Sequence, residues 1–104
     1  MSYRTTYSDY AKQDAKEIVA YLSQFYASTA RNFKAKLAER VNSLKSMPLS
    51  CQVYEADPFF LRMVVGDYLL FYSVDEKRKL VTVQRIFHHA RDIDRIMVEH
   101  RVPE

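Results

Sequence analysis

The chain has 104 residues, enough for one small domain with a real core and too few for two independent ones, so we expect a single domain over residues 1–104. Hydrophobic residues make up 48% of the chain and charged residues 28%, which is typical of a folded globular protein and argues against disorder. The 16 Lys and Arg against 13 Asp and Glu leave a net charge of +3, a mild excess that is compatible with a phosphate-bearing or acidic partner.

Cysteine content and hydropathy exclude several classes of protein. Cys51 is the only cysteine, which rules out an internal disulfide, a Cys-rich metal site and a secreted scaffold built on disulfides. The N-terminal residues lack the apolar core of a signal peptide, and no run approaches the roughly 18 apolar residues of a membrane span. We therefore expect a cytoplasmic protein without a membrane segment, and the sequence indicates neither a metal nor a cofactor.

The first third of the chain predicts a strand followed by a helix hairpin. Residues 3–7 alternate large and polar side chains, as in a short strand. Ser8 is suited to cap a helix, and Asp9 complements the helix dipole. The first helix has an apolar stripe of Ala11, Ala15, Ile18, Leu22 and Phe25, widened by Val19. After a break at residues 26–29, with Ser28 or Thr29 as a second cap, the second stripe is Ala30, Phe33, Leu37, Val41 and Leu44.

Two helices joined by so short a link run antiparallel, and their apolar stripes need a flat surface to cover. Pro48 ends the second helix. The aromatic residues Phe25, Tyr26 and Phe33 are predicted to belong to the core. Residues 49–60 lack a sustained period and form a loop that Tyr54 and the pair Phe59-Phe60 pin to the core.

Residues 61–87 predict a three-strand antiparallel meander. Residues 61–65 and 68–74 form strands around the tight turn Gly66-Asp67, and residues 80–87 form the third strand after the polar tip 75–79. Alternation places Val81, Val83, Arg85 and Phe87 on one side of that strand. Arg62 lies on the face away from the helices, and the aromatic and apolar side chains of the middle strand cannot all be covered by two helices, so we expect an exposed apolar interface there; they are Tyr68, Leu69, Phe71 and Tyr72.

Residues 90–101 place Ile93, Ile96 and Met97 at helical spacing, which predicts a short terminal helix. Before it, His88 and His89 end the third strand, close to Arg91. Adjacent strand residues point to opposite sides, so only one of the two imidazoles can face a given site. An imidazole with an ordinary pKa of about 6.5 is suited to proton transfer near neutrality.

The order and sequence of these segments resemble the RelE/ParE superfamily of toxins from bacterial type II toxin–antitoxin pairs. The resemblance covers nearly the whole chain and depends on four features: "YSDYAKQDAKEIVAYL", Arg62, "YLLFYSVD" and "RIFHHARD". It implies an α+β fold and a growth-arresting toxin that a cognate antitoxin neutralises. A homodimer and a toxin–antitoxin hetero-oligomer are both compatible with it.

The superfamily has two main activities, and the chain keeps only part of the residue set of one of them. RelE-like toxins are endoribonucleases that cleave mRNA on the ribosome, by attack of a 2′-hydroxyl on phosphate, which needs a general acid and base and cations. His88 or His89 could supply the acid or base here, and the nuclease hypothesis takes His89 for that role, with Arg62, Arg85 and Arg91 holding phosphate. Two basic residues of that branch are replaced here by Phe60 and Leu69. Its terminal catalytic tyrosine has no counterpart, because Ile96 and Met97 occupy that region of the chain.

ParE-like toxins inhibit DNA gyrase and need none of these nucleolytic residues. Their helix hairpin tends to be longer, and here the stripes extend over residues 11–25 and 30–44. The missing nucleolytic residues and the long helix hairpin both favour the non-catalytic ParE-like activity over the RelE-like one. A third hypothesis is a toxin-like module that only binds another protein.

Overall fold

The computed structural model describes residues 2–100, which form one sheet of five strands with three helices. In chain order the elements are β1 (Arg4–Tyr7), α1 (Asp9–Ser23), α2 (Ala27–Ser43), β2 (Gln52–Val53), β3 (Leu61–Val65), β4 (Tyr68–Asp75), β5 (Leu80–His88) and α3 (Ile93–His100). The predicted α+β order of strand, helix hairpin, three-strand meander and short terminal helix is confirmed. None of the helices in this part of the chain is long and apolar enough to cross a membrane.

The strand order in the sheet is β1-β5-β4-β3-β2, so the predicted meander forms its centre. β2 extends the meander at one edge by pairing with Leu61 and Arg62 of β3. At the other edge β1 pairs parallel with β5, and this pairing ends where Tyr7 meets Val83. The end of β5 beyond Val83 therefore has an open outer edge, which α1 approaches.

Local sequence signals explain how the helix hairpin begins and turns. Ser8 caps α1 as predicted: its Oγ accepts the Ala11 N–H at 3.0 Å and donates to the Gln84 carbonyl of β5 at 2.8 Å. The predicted cap of the second helix at Ser28 or Thr29 is wrong. Only residues 24–26 link the helices, so α2 begins at Ala27 after Tyr26, which forms no side-chain cap.

The larger apolar cluster lies between the helix hairpin and the sheet. The α2 stripe is buried as predicted, with Ala30, Phe33, Leu37, Val41 and Leu44 all below 9% exposure. Phe25 and Tyr26 are 59% and 72% exposed, so the prediction that they belong to the core is wrong. Both lie in the link after α1 ends at Ser23, where no strand passes beneath them.

The β3–β4 turn is the tight hairpin that the Gly66-Asp67 pair predicts. Val65 pairs directly with Tyr68, which leaves Gly66 and Asp67 as the two loop residues. Gly66 has φ +61°, the conformation that a type II′ turn needs at its first central position.

A β-bulge in β5 changes which of its residues face the hairpin. Phe71 pairs with Arg85 and Tyr72 with Val83, so Gln84 is the extra residue. The β5 members of the hairpin-side cluster are Val81, Val83 and Ile86. The predicted alternation is therefore wrong beyond Val83.

The opposite face of the sheet carries a second, smaller apolar cluster that the chain itself covers. Its buried members are Tyr54, Phe60, Phe71, Phe87, Ile93 and Met97. The loop is thus pinned by Tyr54 and Phe60 as predicted, whereas Phe59 is 47% exposed. The expected exposed apolar interface on β4 is wrong, because the hairpin buries Tyr68 and Tyr72 from one side while α3 and the loop bury Phe71 from the other.

Candidate functional site

A row of paired residues crosses the sheet on the face that α3 covers. Gln52 pairs with Arg62, Arg62 with Phe71, and Phe71 with Arg85. Strands lie about 4.8 Å apart, so the backbones of the two arginines are roughly 10 Å apart. Phe71 is 1% exposed between them, and its ring separates the two guanidinium groups.

Arg85 is held in a bidentate ion pair with Asp14 of α1. Arg85 Nε lies 2.7 Å from Asp14 Oδ2, and Nη2 lies 3.0 Å from Oδ1. The same Oδ2 accepts the Ile86 N–H at 3.0 Å, which satisfies a donor on the open edge of β5. The side chains of Arg85 and Asp14 are only 15% and 8% exposed. The geometry gives Arg85 a structural partner, in competition with any phosphate.

Arg91 lies near Arg85, on the ring of Phe87. The guanidinium carbons of Arg85 and Arg91 are 4.6 Å and 5.6 Å from the centroid of this ring, within reach of a cation–π interaction. Arg91 is exposed and forms no ion pair with any residue of the described range 2–100. The charge of Arg91 is therefore open to a ligand, unlike that of the ion-paired and largely buried Arg85.

Arg62 faces a separate cavity of about 370 Å³. Its Nη2 donates a long hydrogen bond of 3.4 Å to Gln52 Oε1. Tyr54 and Asp94 line the same cavity, and the Tyr54 hydroxyl donates to the Asp94 carboxylate. Burial and this hydrogen bond raise the pKa of Tyr54 well above its ordinary value. The Asp94 carboxylate beside Arg62 opposes the binding of a phosphate there.

The two histidines have different surroundings. His88 Nδ1 accepts the Ala90 N–H at 3.1 Å, and its ring meets Tyr68 edge-on with centroids 5.5 Å apart. His89 is exposed and stacks on His88 with centroids 4.5 Å apart. His88, and not the hypothesised His89, is the imidazole that lines the cleft between the helix hairpin and the sheet, and strand parity is the signal that only one of the pair would do so.

This cleft, of about 730 Å³, lies between the helix hairpin and the end of the sheet that carries the Gly66-Asp67 turn. Its apolar walls come from both layers and include Ile18, Leu22, Phe33, Val65, Tyr68 and Ile86. Charged side chains also line it, namely Asp14, Glu17, Lys36, Asp67 and Arg91. His88 and Arg91 are thus brought into one cleft, whereas Arg62, Arg85 and His89 are not among its lining residues.

Sequence patterns did not predict this cleft. The one sequence feature that could have indicated it is Tyr21, a large aromatic residue that lies off the apolar stripe of α1. In the structure Tyr21 is 56% exposed and lines the cleft. Within the described residues no group of three or more His, Cys, Asp and Glu side chains is arranged to hold a metal ion. The cleft therefore offers an apolar surface with charges around it, in a form that suits a polypeptide segment.

Comparison with known proteins places the chain among bacterial toxins. A family model described as the ParE toxin of the type II toxin–antitoxin system parDE matches residues 6–93. Among curated proteins, no sequence matches the chain at a significant level.

Solved structures give matches to both branches of this toxin superfamily. A structure of the chromosomal ParDE system from P. aeruginosa aligns with a TM-score of 0.72 at 14% identity, covering 84% of this chain and 96% of that one. A mutant of the E. coli toxin RelE in the free state gives 0.70 at 12% identity, covering 99% and 100%. The RelBE2 toxin–antitoxin complex from Mycobacterium tuberculosis gives 0.64 at 17% identity, covering 88% and 95%. At these identities the matches establish a common fold.

Proposed function

The chain belongs to the ParE toxin family of type II toxin–antitoxin systems, and from this membership we propose that it arrests bacterial growth by inhibiting DNA gyrase without catalysis of its own. The RelE/ParE resemblance of the sequence is thereby confirmed at the level of the superfamily. Gyrase acts in the cytoplasm, so the toxin would act there too.

The observation that carries the proposal is the dispersal of the candidate nucleolytic residues. Arg85 is bonded to Asp14, Arg62 lies beside Asp94 beyond the buried Phe71, and His89 is outside the cleft that Arg91 lines. In-line cleavage of RNA needs an acid, a base and cations around one phosphate. Arg85 and Arg91 share the ring of Phe87, but Arg85 is held by Asp14 and Arg62 is separated from Arg85 by the buried Phe71, so the set does not converge on one phosphate, which favours an activity that does not need it.

A second candidate, a ribosome-dependent mRNA endoribonuclease, has one observation in its favour. His88 and Arg91 line the same cleft, so an acid or base and a cation are present together. The nuclease would then depend on His88 in place of His89.

We further propose a cognate antitoxin as partner, as in the ParDE and RelBE2 systems that match the fold. Because α3 already covers much of the opposite sheet face, the cleft is a better binding site for an antitoxin segment than that face. A small acidic protein encoded beside this gene would be tested by co-purification. Replacement of the exposed Tyr21 by Glu would weaken this complex, whereas Val98→Glu, on the exposed side of α3, would not.

The target is tested with the purified full chain in two assays. The proposal expects loss of gyrase supercoiling activity in vitro and no cleavage of mRNA on translating ribosomes. Induction in a bacterial host would give filamentation with DNA damage, and Arg62→Ala and His89→Ala would keep full toxicity. Cut messages together with intact gyrase activity would overturn the proposal, and loss of cleavage in His88→Ala would then establish the second candidate. If growth and both assays are unaffected, the chain is a protein-binding module.

A further inference from the structure

One flank of α2 is cationic and otherwise small. Its exposed positions recur at helical spacing and are Ala27, Arg31, Lys34, Ala35, Ala38 and Asn42, while the exposed Glu39, the one acidic residue of the helix, lies on the neighbouring side. They alternate with the buried stripe of the same helix. Alanines between long basic side chains leave a surface that a rigid partner can approach closely.

Cations of α1 continue this surface across the hairpin. Lys16 and Lys34 line the same groove of about 310 Å³ between the two helices. Lys12 precedes Lys16 by four residues and so lies one turn away on the same side of α1, and Arg31 likewise precedes Lys34 by three. We call Lys12, Lys16, Arg31 and Lys34 the hairpin cation cluster.

The charges of this cluster are largely unpaired. Lys12 Nζ lies 4.0 Å from Asp9 Oδ1 in an exposed contact, and no ion pair within residues 2–100 involves Lys16, Arg31 or Lys34. α2 contains four basic residues and one acidic residue, so its net charge of +3 equals that of the whole chain. The excess positive charge of the protein is therefore carried by α2, while α1 has a net charge of −1.

The composition of this surface favours a polyanion over a protein partner. Protein interfaces depend on buried aromatic and apolar anchors, and no large apolar side chain of α2 is exposed. The only aromatic residue of α2 is Phe33, which is 8% exposed, so this helix offers no ring on which unpaired bases could stack. Unpaired cations without stacking rings are suited to the phosphates of a duplex.

We propose that the hairpin cation cluster binds the phosphate backbone of duplex DNA. This inference rests on the proposed function, because a gyrase inhibitor meets its target on DNA and a toxin that also holds the duplex would bind the enzyme–DNA complex. α2 has 17 residues and is about 25 Å long, which corresponds to roughly seven base pairs.

The test is fluorescence anisotropy with the purified full chain and a labelled duplex of about 20 base pairs, at several salt concentrations. The triple variant Lys16→Gln, Arg31→Gln, Lys34→Gln removes three charges at exposed positions. The matched control Lys77→Gln, Arg78→Gln, Arg95→Gln removes three exposed charges elsewhere. We expect the hairpin variant to bind at least about tenfold more weakly and the slope of log K against log salt to fall by about 3, whereas the control stays within about twofold of wild type.

Three results would overturn the inference: no duplex binding by the wild type at low salt, equal losses in the two triple variants, or tighter binding of single-stranded RNA than of duplex DNA. Circular dichroism of both variants guards against loss of fold. Gyrase inhibition is measured separately on the same samples. Gyrase inhibition without DNA binding would contradict only the proposed DNA binding. DNA binding without gyrase inhibition would contradict only the proposed function.

Discussion

Arg85 illustrates how one side chain can be read as catalytic in the sequence and as structural in the fold. Its bidentate bond to Asp14 joins the open edge of β5 to α1, and both groups are largely withdrawn from solvent. Loss of one partner of such a pair leaves a buried charge without compensation.

We therefore predict that Arg85→Ala lowers the free energy of unfolding by about 3 kcal/mol. Arg62→Ala serves as the control, because Arg62 is exposed and its only hydrogen bond within the described residues is the 3.4 Å contact to Gln52, so its change should stay within about 0.5 kcal/mol. Chemical denaturation of the two variants measures the difference. Equal stability of both would show that the Asp14 pair does not hold the fold.

Buried tyrosines give the stability of this protein a pH dependence on the alkaline side. Burial raises the pKa of Tyr54 and of Tyr72 above the ordinary value of 10.0. Above that pH the unfolded chain loses these phenol protons while the folded chain keeps them, so proton release favours unfolding. We predict that these two tyrosines leave stability unchanged between about pH 8 and about pH 9 and lower it as the pH rises through about 10 and beyond.

Denaturation midpoints between about pH 8 and about pH 11 measure this slope. In Tyr54→Phe the slope should be smaller, because one raised phenol is removed, even though the variant also loses the hydrogen bond to Asp94. Tyr26→Phe is the matched control, since Tyr26 is 72% exposed. A slope that is unchanged in Tyr54→Phe would contradict the assignment.

At the scale of elements, hydrophobic period predicted the three helices and four of the five strands, because each turns an apolar face toward one of the two clusters. It missed β2, a two-residue strand within the predicted loop 49–60. The α2 stripe and the inward side of α3 follow directly from spacings of three and four residues. The β5 bulge could not be predicted, since an extra residue in one strand depends on its pairing with the other. Because the bulge changes side-chain parity, it also decided where Arg85 points.

The terminal helix α3 makes the second cluster possible, so its inward side should matter for stability. Met97 is 1% exposed within that cluster, whereas its neighbour Val98 is 73% exposed. We predict that Met97→Ala lowers the free energy of unfolding by about 2 to 3 kcal/mol, through lost burial and a cavity beside Phe71 and Phe87. Val98→Ala should change it by less than about 0.5 kcal/mol. Similar losses in the two variants, measured by denaturation, would mean that α3 is not docked as described.

For the whole molecule, the sequence predicted that the helix hairpin packs on one face of the sheet. It did not predict that α3 and the loop before β3 cover the other face. Arg62 could be assigned to the face away from the helices from the pattern, but the place of Arg85 on the same face and its separation from Arg62 by Phe71 required the register of three strands. The cleft was missed for the same reason, because it is formed by three segments distant in sequence. Sites of this kind depend on tertiary contacts that no local period encodes.

The two apolar clusters share the sheet in a way that should make unfolding cooperative. β4 contributes Leu70 and Tyr72 to the hairpin side and Phe71 to the other, so neither cluster can persist after the strand is lost. The radius of gyration of 13.6 Å is close to the roughly 13 Å expected of a compact domain of this length. We predict one two-state transition for residues 2–100, which is the behaviour expected if they form a single domain.

Far-ultraviolet dichroism reports the helices of the hairpin, and near-ultraviolet dichroism reports the tyrosines on both sides of the sheet. Coincident denaturation curves from the two signals are the expected result. In Met97→Ala the curves should move together to lower denaturant, because weakening the second cluster weakens the sheet on which the first one packs. An early near-ultraviolet transition with only the small far-ultraviolet change expected of the 8 residues of α3 would instead mean that α3 and the loop at residues 54–60 unfold as a unit of their own.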